Sequence, residues 1–400
     1  MSDPELVDVL IVGSGPSGTS TALHLVKLDP TWAKRIVVVD KAVHPREKLC
    51  GGGLTHVGQN VLANLGLPLE PRSFEVKEVR LLYRNKSYSF YGNPVFRILR
   101  RDEFDHWLVR TCETLGVRVR QGEAVTTITP HDDYVAVVTD RAAFHAKVVV
   151  AADGSRSFVR RKLKWDDGPE AGDDARVARL VEVLTPEDPA AQPEFRDAVA
   201  IFDFTPMDDD LQGYYWDFPS FVKGRAMMNR GVFDSRAVPR KPKADLKDVL
   251  AGEMAERGRE LDDYELKGHP IRWWSSNARF SRPRVLLVGD AAGADPLFGE
   301  GISFALGYGD PAAAAIADAF ARDDFSFATY RDRLLEHPLF KQLRLRTWLA
   351  RYAYLLNHPP VVSAGWTLMR LVLRLTPWKD RAYVPARLPE FRLTDVASQM

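Results

Sequence analysis

The N-terminal part of the chain alternates between apolar runs, which predict strands, and segments with turn or helix patterns. An apolar run at 9–12 leads into the glycine-rich segment 13–18 (GSGPSG), and an Ala/Leu-rich helical pattern follows at 21–26. A second apolar run at 35–39 ends in Asp40. A strand, a G-x-G-x-x-G turn and a helix, with an acid about 20 residues further on, form the arrangement that binds the pyrophosphate and ribose of a dinucleotide. We therefore predict a nucleotide-binding α/β unit at this end of the chain.

The pattern further along predicts an additional sheet. Short alternating segments within 74–99 and a mostly strand-like stretch at 175–275 are typical of an antiparallel sheet with polar turns. A helix is expected directly after the first of these regions, with Asp102 as its N-cap. An acidic, Gly/Pro-containing stretch at 166–174 is a candidate domain boundary.

The composition narrows the class of protein. The chain has 45% hydrophobic and 27% charged residues and a formal net charge of +1, which is ordinary for a soluble globular protein and does not favour a nucleic-acid partner. Its two cysteines, Cys50 and Cys112, form neither a metal-ligand spacing nor a disulfide framework, so we expect no metal site and a cytoplasmic location. No basic segment precedes the first apolar run, and no apolar stretch reaches ~18 residues, so neither a signal peptide nor a spanning helix is expected.

Two further short motifs accompany the glycine turn. Asp153-Gly154 follows the apolar run 146–150, and Gly289-Asp290 follows the apolar run 285–288. Together with the turn at 13–18, they resemble the three fingerprints of the glutathione-reductase-like FAD proteins of the para-hydroxybenzoate hydroxylase type. The resemblance implies an FAD-binding Rossmann domain in which the glycine turn holds the pyrophosphate. It also implies that Asp153-Gly154 lies near the cofactor and the pyridine-nucleotide side, and that the aspartate of Gly289-Asp290 contacts the ribityl chain.

The same resemblance implies an α/β protein with a discontinuous cofactor domain. The FAD-binding domain is expected at 1–75, 100–165 and 281–330, an inserted antiparallel-sheet substrate domain at 76–99 and 170–280, and a helical, basic, aromatic-rich segment at 331–400. Arg101 matches the arginine that commonly approaches the cofactor in such proteins. The expected cofactor-binding residues are Gly13, Gly15, Pro16, Ser17, Gly18, Asp40, Lys41, Cys50, Gly51, Gly52, Arg101, Asp153, Gly289, Asp290, Pro296, Gly299, Gly301 and Ile302.

Three more strings narrow the resemblance to one branch of these proteins. Residues 48–53 (KLCGGG) are similar to the K-x-C-G-G-G segment of geranylgeranyl reductases, residues 214–219 (YYWDFP) fit their Y-x-W-x-F-P motif, and residues 299–302 fit their G-E-G-I. Leu211 stands where the aromatic motif usually begins with proline, which is a small departure. The resemblance covers about residues 7–320. It implies FAD-dependent reduction of isolated C=C bonds in polyprenyl chains, with a prenylated lipid or quinone as substrate.

The chemistry of that reaction gives these residues their expected roles. An isolated alkene must receive a hydride from flavin N5 on one carbon and a proton on the other, in a dry, apolar site. In a strand, Tyr214, Trp216 and Phe218 point to one face, where their rings would form a flat wall. We expect Tyr214, Trp216 and Cys50 to be catalytic, with Cys50 as proton donor or polarising group. The expected substrate-binding residues are Tyr215, Phe218, Pro219 and Phe298. The alternatives are that the aromatic residues form sheet core and that Cys50 is a small buried filler.

The chain from residue 338 onward combines large apolar side chains with many basic ones. It has ten lysine and arginine residues against three acidic ones, a formal charge of +7 (10 − 3). Two interpretations stay open. The segment is either a helical lid that packs on the body of the protein, or a surface that rests on a membrane, where basic side chains meet anionic headgroups and Trp lies at the interface.

An FAD-dependent monooxygenase or halogenase that acts through a C4a-hydroperoxyflavin is the alternative function on this scaffold. Residues 214–219 do not match the W-x-W-x-I-P string of such halogenases, and Gly293 and Glu300 stand where aromatic hydroxylases tend to have histidine and glutamine. These departures favour the reductase, and a non-catalytic flavoprotein is a third class. The sequence has no second G-x-G-x-x-G and does not identify the reductant; the resemblance implies that NADPH, bound transiently, or another external electron donor supplies the electrons. The oligomeric state is left open.

Overall fold

A computed structural model describes residues 3–165, 177–356 and 359–375, which form two sheets and the helices around them. In chain order, the strands are β1 (Glu5–Val12), β2 (Ile36–Asp40), β3 (Gly53–Leu54), β4 (Ser73–Tyr83), β5 (Lys86–Leu99), β6 (Arg118–Gln121), β7 (Val125–Pro130), β8 (Val135–Thr139), β9 (Ala143–Ala151), β10 (Val177–Pro186), β11 (Val199–Asp203), β12 (Gly213–Val222), β13 (Arg225–Asp234), β14 (Lys267–Arg272), β15 (Ser281–Arg282) and β16 (Val285–Leu287). The α-helices are α1 (Pro16–Leu28), α2 (His56–Asn64), α3 (Arg101–Thr114), α4 (Phe158–Lys162), α5 (Pro193–Arg196), α6 (Leu246–Glu256), α7 (Ile302–Gly307), α8 (Gly309–Arg322), α9 (Tyr330–Glu336), α10 (Pro338–Leu355) and α11 (Pro359–Leu375).

The first sheet carries the predicted nucleotide-binding unit. Its strands lie in the order β15-β16-β9-β1-β2-β6, and β8 and β7 continue it from β9. The central strands β16, β9, β1, β2 and β6 pair in parallel. Residues 9–12 and 36–39 are buried without alternation, which is expected when helices cover both faces of a parallel sheet. The glycine turn therefore lies at the carboxyl edge of this sheet, where nucleotides bind in such folds.

The second sheet is the predicted antiparallel one. Its order is β14-β10-β13-β12-β11-β4-β5-β3, and every pair is antiparallel except β4 with β11. β12 and β13 form a hairpin whose two turn residues, Lys223 and Gly224, both have positive φ, as a type I′ turn requires. The short strand β3 attaches the glycine loop at 50–54 to the edge of this sheet. That loop consequently runs between the two sheets.

The predicted fold class is confirmed, with two corrections of detail. α3 begins at Arg101 with Arg100 at the N-cap, so the expectation that Asp102 caps this helix is wrong; Asp102 lies in the first turn, where the positive helix end stabilises its carboxylate. The expected short strands in 74–99 are two long ones, β4 and β5. The candidate boundary at 166–174 lies outside the described residues, and the domain limits stay predictions.

α10 connects the hydrophobic cores of the two sheets. It buries Leu339, Phe340 and Leu343 in the core of the first sheet and Ala350 and Tyr354 in the core of the second. α11 follows and places the ring of Trp366 4.6 Å from that of Phe204. The C-terminal segment is thus helical over its described part. None of the helices described up to residue 375 combines the length and the apolar character that a membrane span requires.

Candidate active site

A cavity of about 990 Å³ is lined by residues of both sheets. One arm is polar and is bordered by the glycine turn, the end of β2 and the segment after β9. The other arm is apolar and is lined by side chains from β4, β5 and β10–β14. The glycine loop at 50–53 and the turn before α7 border the cavity as well. The structure thus joins a polar and an apolar compartment in one site.

Gly15 leaves open space in the polar arm. A Cβ atom placed on Gly15 would meet no other residue closer than Arg46 Nη2, at 3.8 Å, so protein packing does not explain the glycine. α1 begins directly after it, and no side chain caps the helix. The first N–H groups of α1 therefore lie beside the cavity and have no capping side chain as a partner. Free N–H groups of this kind bind anions at helix N-termini.

Asp40 is held rigidly at the end of β2. Its Oδ2 accepts hydrogen bonds from the backbone N–H and the hydroxyl of Ser14, both at 2.7 Å, and its Oδ1 accepts one from the N–H of Ala42 at 2.9 Å. The Ser14 hydroxyl also lies 2.8 Å from His44 Nε2. Asp40 lines the cavity, as predicted for a ribose-binding acid.

Two arginines share one buried carboxylate beside the glycine turn. Arg101 donates from Nε and Nη2 to the two carboxylate oxygens of Asp105, each at 2.8 Å, and Arg46 Nη2 lies 3.1 Å from Asp105 Oδ2. Asp105 is fully buried, whereas both arginines reach the cavity. One carboxylate against two guanidinium groups leaves a net positive charge, which suits a pyrophosphate. Arg101 was predicted from the sequence, whereas Arg46 and Asp105 were not.

Aromatic rings form a wall in the apolar arm. Tyr214, Trp216 and Phe218 project from one face of β12 and line the cavity, as the alternation predicts. Phe202 packs on this wall, with its ring 5.1 Å from that of Tyr214 and 5.0 Å from that of Phe218. The other apolar lining residues are Val79, Leu81, Phe90, Val95, Phe96, Leu180, Phe233, Ile271 and Phe298. This arm offers hydrocarbon surface on several sides.

A profile of the FAD binding domain family matches residues 6–307. The chain belongs to this FAD-binding family. Menaquinone reductase of Mycobacterium tuberculosis is 28% identical over 384 residues and covers 85% of this chain and 86% of its own. Digeranylgeranylglycerophospholipid reductase of Thermoplasma acidophilum is 26% identical over 379 residues, covering 87% of each chain. The protein is an FAD-binding oxidoreductase with reductases among its relatives, as the resemblance implied.

The fold of this FAD-binding oxidoreductase also occurs in solved structures. A geranylgeranyl bacteriochlorophyll reductase-like protein of Thermoplasma acidophilum superposes with a TM-score of 0.71 at 23% identity, over 88% of each chain. Monooxygenases and flavin-dependent halogenases share the fold as well, at 20% and 15% identity in two examples. The fold by itself therefore does not separate reductase from monooxygenase chemistry.

The polar arm fits FAD by three observations. The space at Gly15 accommodates a group that no side chain fills, the guanidinium groups of Arg46 and Arg101 supply positive charge there, and Asp40 lines the cavity at the end of β2, where folds of this kind carry a ribose-binding acid. FAD bound here would be held by these residues and by the first N–H groups of α1. The other predicted cofactor residues that line the same cavity are Gly13, Pro16, Ser17, Lys41, Cys50, Gly51, Gly52, Asp153, Asp290, Gly299, Gly301 and Ile302.

The aspartates of the two later fingerprints, Asp153 and Asp290, both line the cavity, and their roles toward the cofactor stay predictions. Asp153 Oδ2 accepts from the N–H of Val159 at 3.0 Å, while the buried Oδ1 has no partner among the described residues. Burial raises the pKa of Asp153. Asp290 Oδ2 accepts from the Ser155 hydroxyl at 3.3 Å. The buried, unpartnered oxygen of Asp153 is a further sign that a polar ligand belongs beside it.

Five predicted site residues lie outside the cavity lining: Gly18, Tyr215, Pro219, Gly289 and Pro296. Gly18 serves packing instead, because a Cβ there would stand 2.0 Å from the Gly13 carbonyl oxygen. Gly289 has φ +59°, and a Cβ on it would collide with Ser17 Oγ at 2.4 Å. Tyr215 points to the opposite face of β12, as its position between Tyr214 and Trp216 requires, and its hydroxyl donates to Asp217 Oδ1 at 2.7 Å. It is fully buried in the core formed with α6, so the structure does not bring it to the substrate arm.

The polar atoms of the wall are occupied within the protein. The Tyr214 hydroxyl donates to the Phe298 carbonyl oxygen at 2.5 Å, and Trp216 Nε1 donates to Asn229 Oδ1 at 2.7 Å. Burial raises the pKa of Tyr214. The wall consequently presents ring surfaces to the cavity rather than free donors.

The main chain of Cys50 is clamped on both sides. Its N–H donates to Glu182 Oε1 at 3.2 Å, and its carbonyl oxygen accepts from Asn229 Nδ2 at 3.3 Å. The half-buried thiol lines the cavity. Cys112, in contrast, is fully buried in the core of the first sheet, and burial raises the pKa of its thiol.

Two further features of the site were missed in the sequence analysis because they connect distant segments. Lys48 Nζ lies 2.7 Å from His269 Nε2, and both side chains line the cavity. Arg346 of α10 also lines it and pairs with Glu300 and Asp295 at 2.6 and 2.8 Å. The sequence contains no periodic signal that would bring residue 48 to 269 or residue 346 to 300.

Proposed function

We propose that this protein is an FAD-dependent reductase of isolated C=C bonds in polyprenyl chains of the geranylgeranyl type. The observation that carries the proposal is the aromatic arm of the cavity, which opens directly into the FAD-binding arm. A polyprenyl chain is a pure hydrocarbon, so its binding relies on burial of apolar surface rather than on hydrogen bonds. The rings of Phe202, Tyr214 and Phe218 offer such a surface, since the Tyr214 hydroxyl is already hydrogen-bonded within the protein.

The geometry supports one division of roles among these residues. Bound FAD in its reduced form would supply the hydride. The wall at Tyr214, Trp216 and Phe218 would align the chain and exclude water, and Phe298 would close it from the side of the turn before α7. The Cys50 thiol, fixed through its clamped main chain, would contact the double bond as polarising group or proton donor.

The C-terminal helices suggest how such a substrate is reached. One exposed stripe on α10 carries apolar side chains at helical spacing, namely Leu345, Trp348, Tyr352 and Leu355, with exposed basic residues Lys341, Arg344 and Arg351 nearby. Aromatic and basic side chains on one helix surface are typical of contact with anionic membranes. We propose that a prenylated lipid or quinone is taken from the inner face of the membrane, with the protein peripheral on the cytoplasmic side.

The membrane contact has a direct test. Co-sedimentation with vesicles that contain anionic lipid should retain the wild-type protein, and a W348E/Y352E variant should stay in the supernatant. Equal sedimentation of both proteins would remove this helix from the proposal.

The electron donor is tested in a separate experiment. The FAD-loaded protein is mixed anaerobically with NADPH or with dithionite, and the rates of flavin bleaching are compared.

The function itself is tested in one anaerobic experiment. The FAD-loaded protein is reduced with dithionite and mixed with a geranylgeranyl-bearing lipid, and flavin reoxidation and product mass are followed. Reoxidation with a mass gain of two hydrogens per double bond would support the reductase. Reoxidation only after air enters, with oxygen or halogen in the product, would assign the protein to the monooxygenase or halogenase class instead.

A further inference from the structure

Lys48 and His269 meet where the polar and apolar arms of the cavity join. His269 lies on β14 opposite Leu180 of β10, and Ile271, two residues along, is on the same face; both Leu180 and Ile271 line the apolar arm. Lys48 begins the glycine loop, which then passes along the aromatic wall, because a Cβ on Gly51 would stand 3.3 Å from the Phe218 ring. The pair therefore adjoins both the substrate wall and the cofactor arm.

The contact between Lys48 and His269 indicates which of the two side chains carries the proton. A 2.7 Å approach of Lys48 Nζ to His269 Nε2 is a hydrogen bond only if one nitrogen donates and the other accepts. An ammonium has no acceptor, so Lys48 donates to the neutral imidazole. Burial, followed by the charge of Lys48, lowers the pKa of His269 to about 4, which agrees with a neutral ring.

Lys48 differs from Lys267, a second lysine that connects the start of the glycine loop with β14. Lys267 pairs with Glu47 and Glu265, at 2.6 and 3.0 Å, on the protein surface. For Lys48, the described part of the chain offers no carboxylate within ion-pair distance, and burial lowers the pKa of its ammonium. A half-buried cation without a carboxylate, in a cavity, is costly for stability and is typical of a group kept for its chemistry.

We propose that Lys48, oriented by His269, is the residue that delivers the proton in the reduction of the substrate double bond. This inference rests on the proposed function. In this step, a hydride from the bound reduced cofactor forms one C–H bond. The Nζ–H bond of Lys48 breaks, and the π electron pair of the alkene forms the second C–H bond with the proton that Lys48 releases. The flavin ends oxidised by two electrons, and Lys48 regains a proton from water. Cys50 then polarises the double bond, and His269 is a positioning residue.

The central test compares single turnovers of the dithionite-reduced, FAD-loaded protein with a geranylgeranyl-bearing lipid. Lys48→Met keeps an unbranched side chain, shorter by one atom, and removes the ammonium group; we expect at least a ~100-fold slower flavin reoxidation, the usual size of a general-acid effect, with FAD content unchanged. Lys267→Met, which removes the other tie between this loop and β14, should match the wild type within about twofold. Equal rates for Lys48→Met and wild type would overturn the inference, as would equal losses in both variants.

Lys48→Arg separates proton delivery from mere positive charge. A guanidinium keeps the charge but does not release a proton, so this variant should stay as slow as Lys48→Met. Recovery of the wild-type rate in Lys48→Arg would overturn the proposal in favour of a charge effect. If the wild-type protein gives no product with two added hydrogens, the proposed function fails and this inference fails with it, whereas a slow Lys48→Met beside a competent wild type supports both.

A measurement that requires no turnover tests the contact between Lys48 and His269. In an NMR titration of the substrate-free protein, the His269 ring should stay neutral down to about pH 4 in the wild type and in Lys267→Met. In Lys48→Met, its pKa should rise, because the ammonium no longer opposes protonation. The other groups that face this ring are Asp290, Arg156 and Arg101, and those that face Lys48 are Asp290, Arg101, Arg46 and the Cys50 thiol. An unchanged His269 titration in Lys48→Met would contradict the proposed pairing.

The turnover rate should also follow pH in a defined way. The active form has a charged Lys48 and a neutral His269, so the rate should fall below about pH 4, where the ring takes up a proton, and again at high pH as Lys48 loses its proton. The high-pH fall should begin below the ordinary lysine value of 10.5, because burial lowers the pKa of Lys48. Absence of that fall would overturn Lys48 as the proton donor.

Discussion

The guanidinium of Arg346 lies 2.6 Å from the carboxylate of Glu300, which ties the C-terminal helix α10 to the turn before α7. The same guanidinium lies 2.8 Å from Asp295, and the Thr55 hydroxyl donates to Glu300 as well. Burial raises the pKa of Asp295, so this carboxylate depends on Arg346 for compensation. The G-E-G-I turn beside the cavity is thus positioned from the far end of the chain.

Arg346→Met should destabilise the protein strongly. It leaves two carboxylates without their cation, and breaking a buried ion pair in this way costs about 3–5 kcal/mol. The free energy of unfolding from urea titration measures the effect. Arg344→Met, an exposed residue on the same helix, is the control and should change that free energy by less than ~0.5 kcal/mol. Equal values for both variants would show that the ion pair contributes nothing.

Gly15→Val should abolish FAD binding while the protein stays folded. The side chain would enter the open space that no protein atom fills within 3.8 Å, so it would block the pyrophosphate without a clash inside the protein. The FAD content after purification and the thermal unfolding profile measure both parts. Gly252→Val is the matched control, because a Cβ there also meets nothing within 4 Å but lies on the exposed side of α6. A yellow Gly15→Val protein would contradict the assignment of the polar arm.

Tyr214→Phe should retain alkene reduction and lose some stability. The variant keeps the ring of the wall, but the Phe298 carbonyl oxygen loses its donor, which costs about 1–3 kcal/mol for a buried acceptor. Single-turnover reoxidation and urea unfolding are the measurements. A ~100-fold slower reaction in Tyr214→Phe would instead make the hydroxyl the proton donor and leave Lys48 without that role.

Cys50→Ala should keep the FAD spectrum and lower alkene reduction. Because Glu182 and Asn229 clamp the main chain of Cys50, the variant changes the thiol and little else. Product formation per bound FAD is the measurement. Cys112→Ala, in the core, should leave activity intact while costing stability. Turnover of Cys50→Ala at the wild-type rate would remove Cys50 from the mechanism.

Glu182 should give the stability of the protein a distinct pH dependence. Burial raises the pKa of Glu182 from 4.5 to about 7, so the folded state binds more protons than the unfolded state between these values. The contribution of Glu182 is therefore fully present below pH 4.5 and is lost as pH rises through 7. Relative to Glu182→Gln, the wild type should lose about 3 kcal/mol of unfolding free energy over this interval. A parallel pH dependence of wild type and variant would contradict the raised pKa.

Local sequence patterns were sufficient to predict those features that depend only on residues close together in the chain. The apolar runs at 9–12 and 35–39 predicted strands of a nucleotide-binding α/β unit, the glycine turn between strand and helix predicted the cofactor arm, and the alternation at 214–218 predicted the aromatic wall. The N-cap of α3 was misplaced because tertiary pairing decides it. Leu99 pairs with Ser73 at the end of β5, so Arg100 directly after the strand becomes the N-cap and α3 begins at Arg101.

The sequence by itself thus determined the nucleotide-binding turn, the two kinds of sheet and the residues of the wall, because period and spacing are properties of short segments. Only the tertiary structure decided which charges meet in the cavity. Arg46 joins Arg101 on Asp105, Lys48 meets His269, and Arg346 reaches Glu300, each across a long stretch of chain. These contacts depend on how the sheets and α10 pack against one another, and no local propensity encodes that packing.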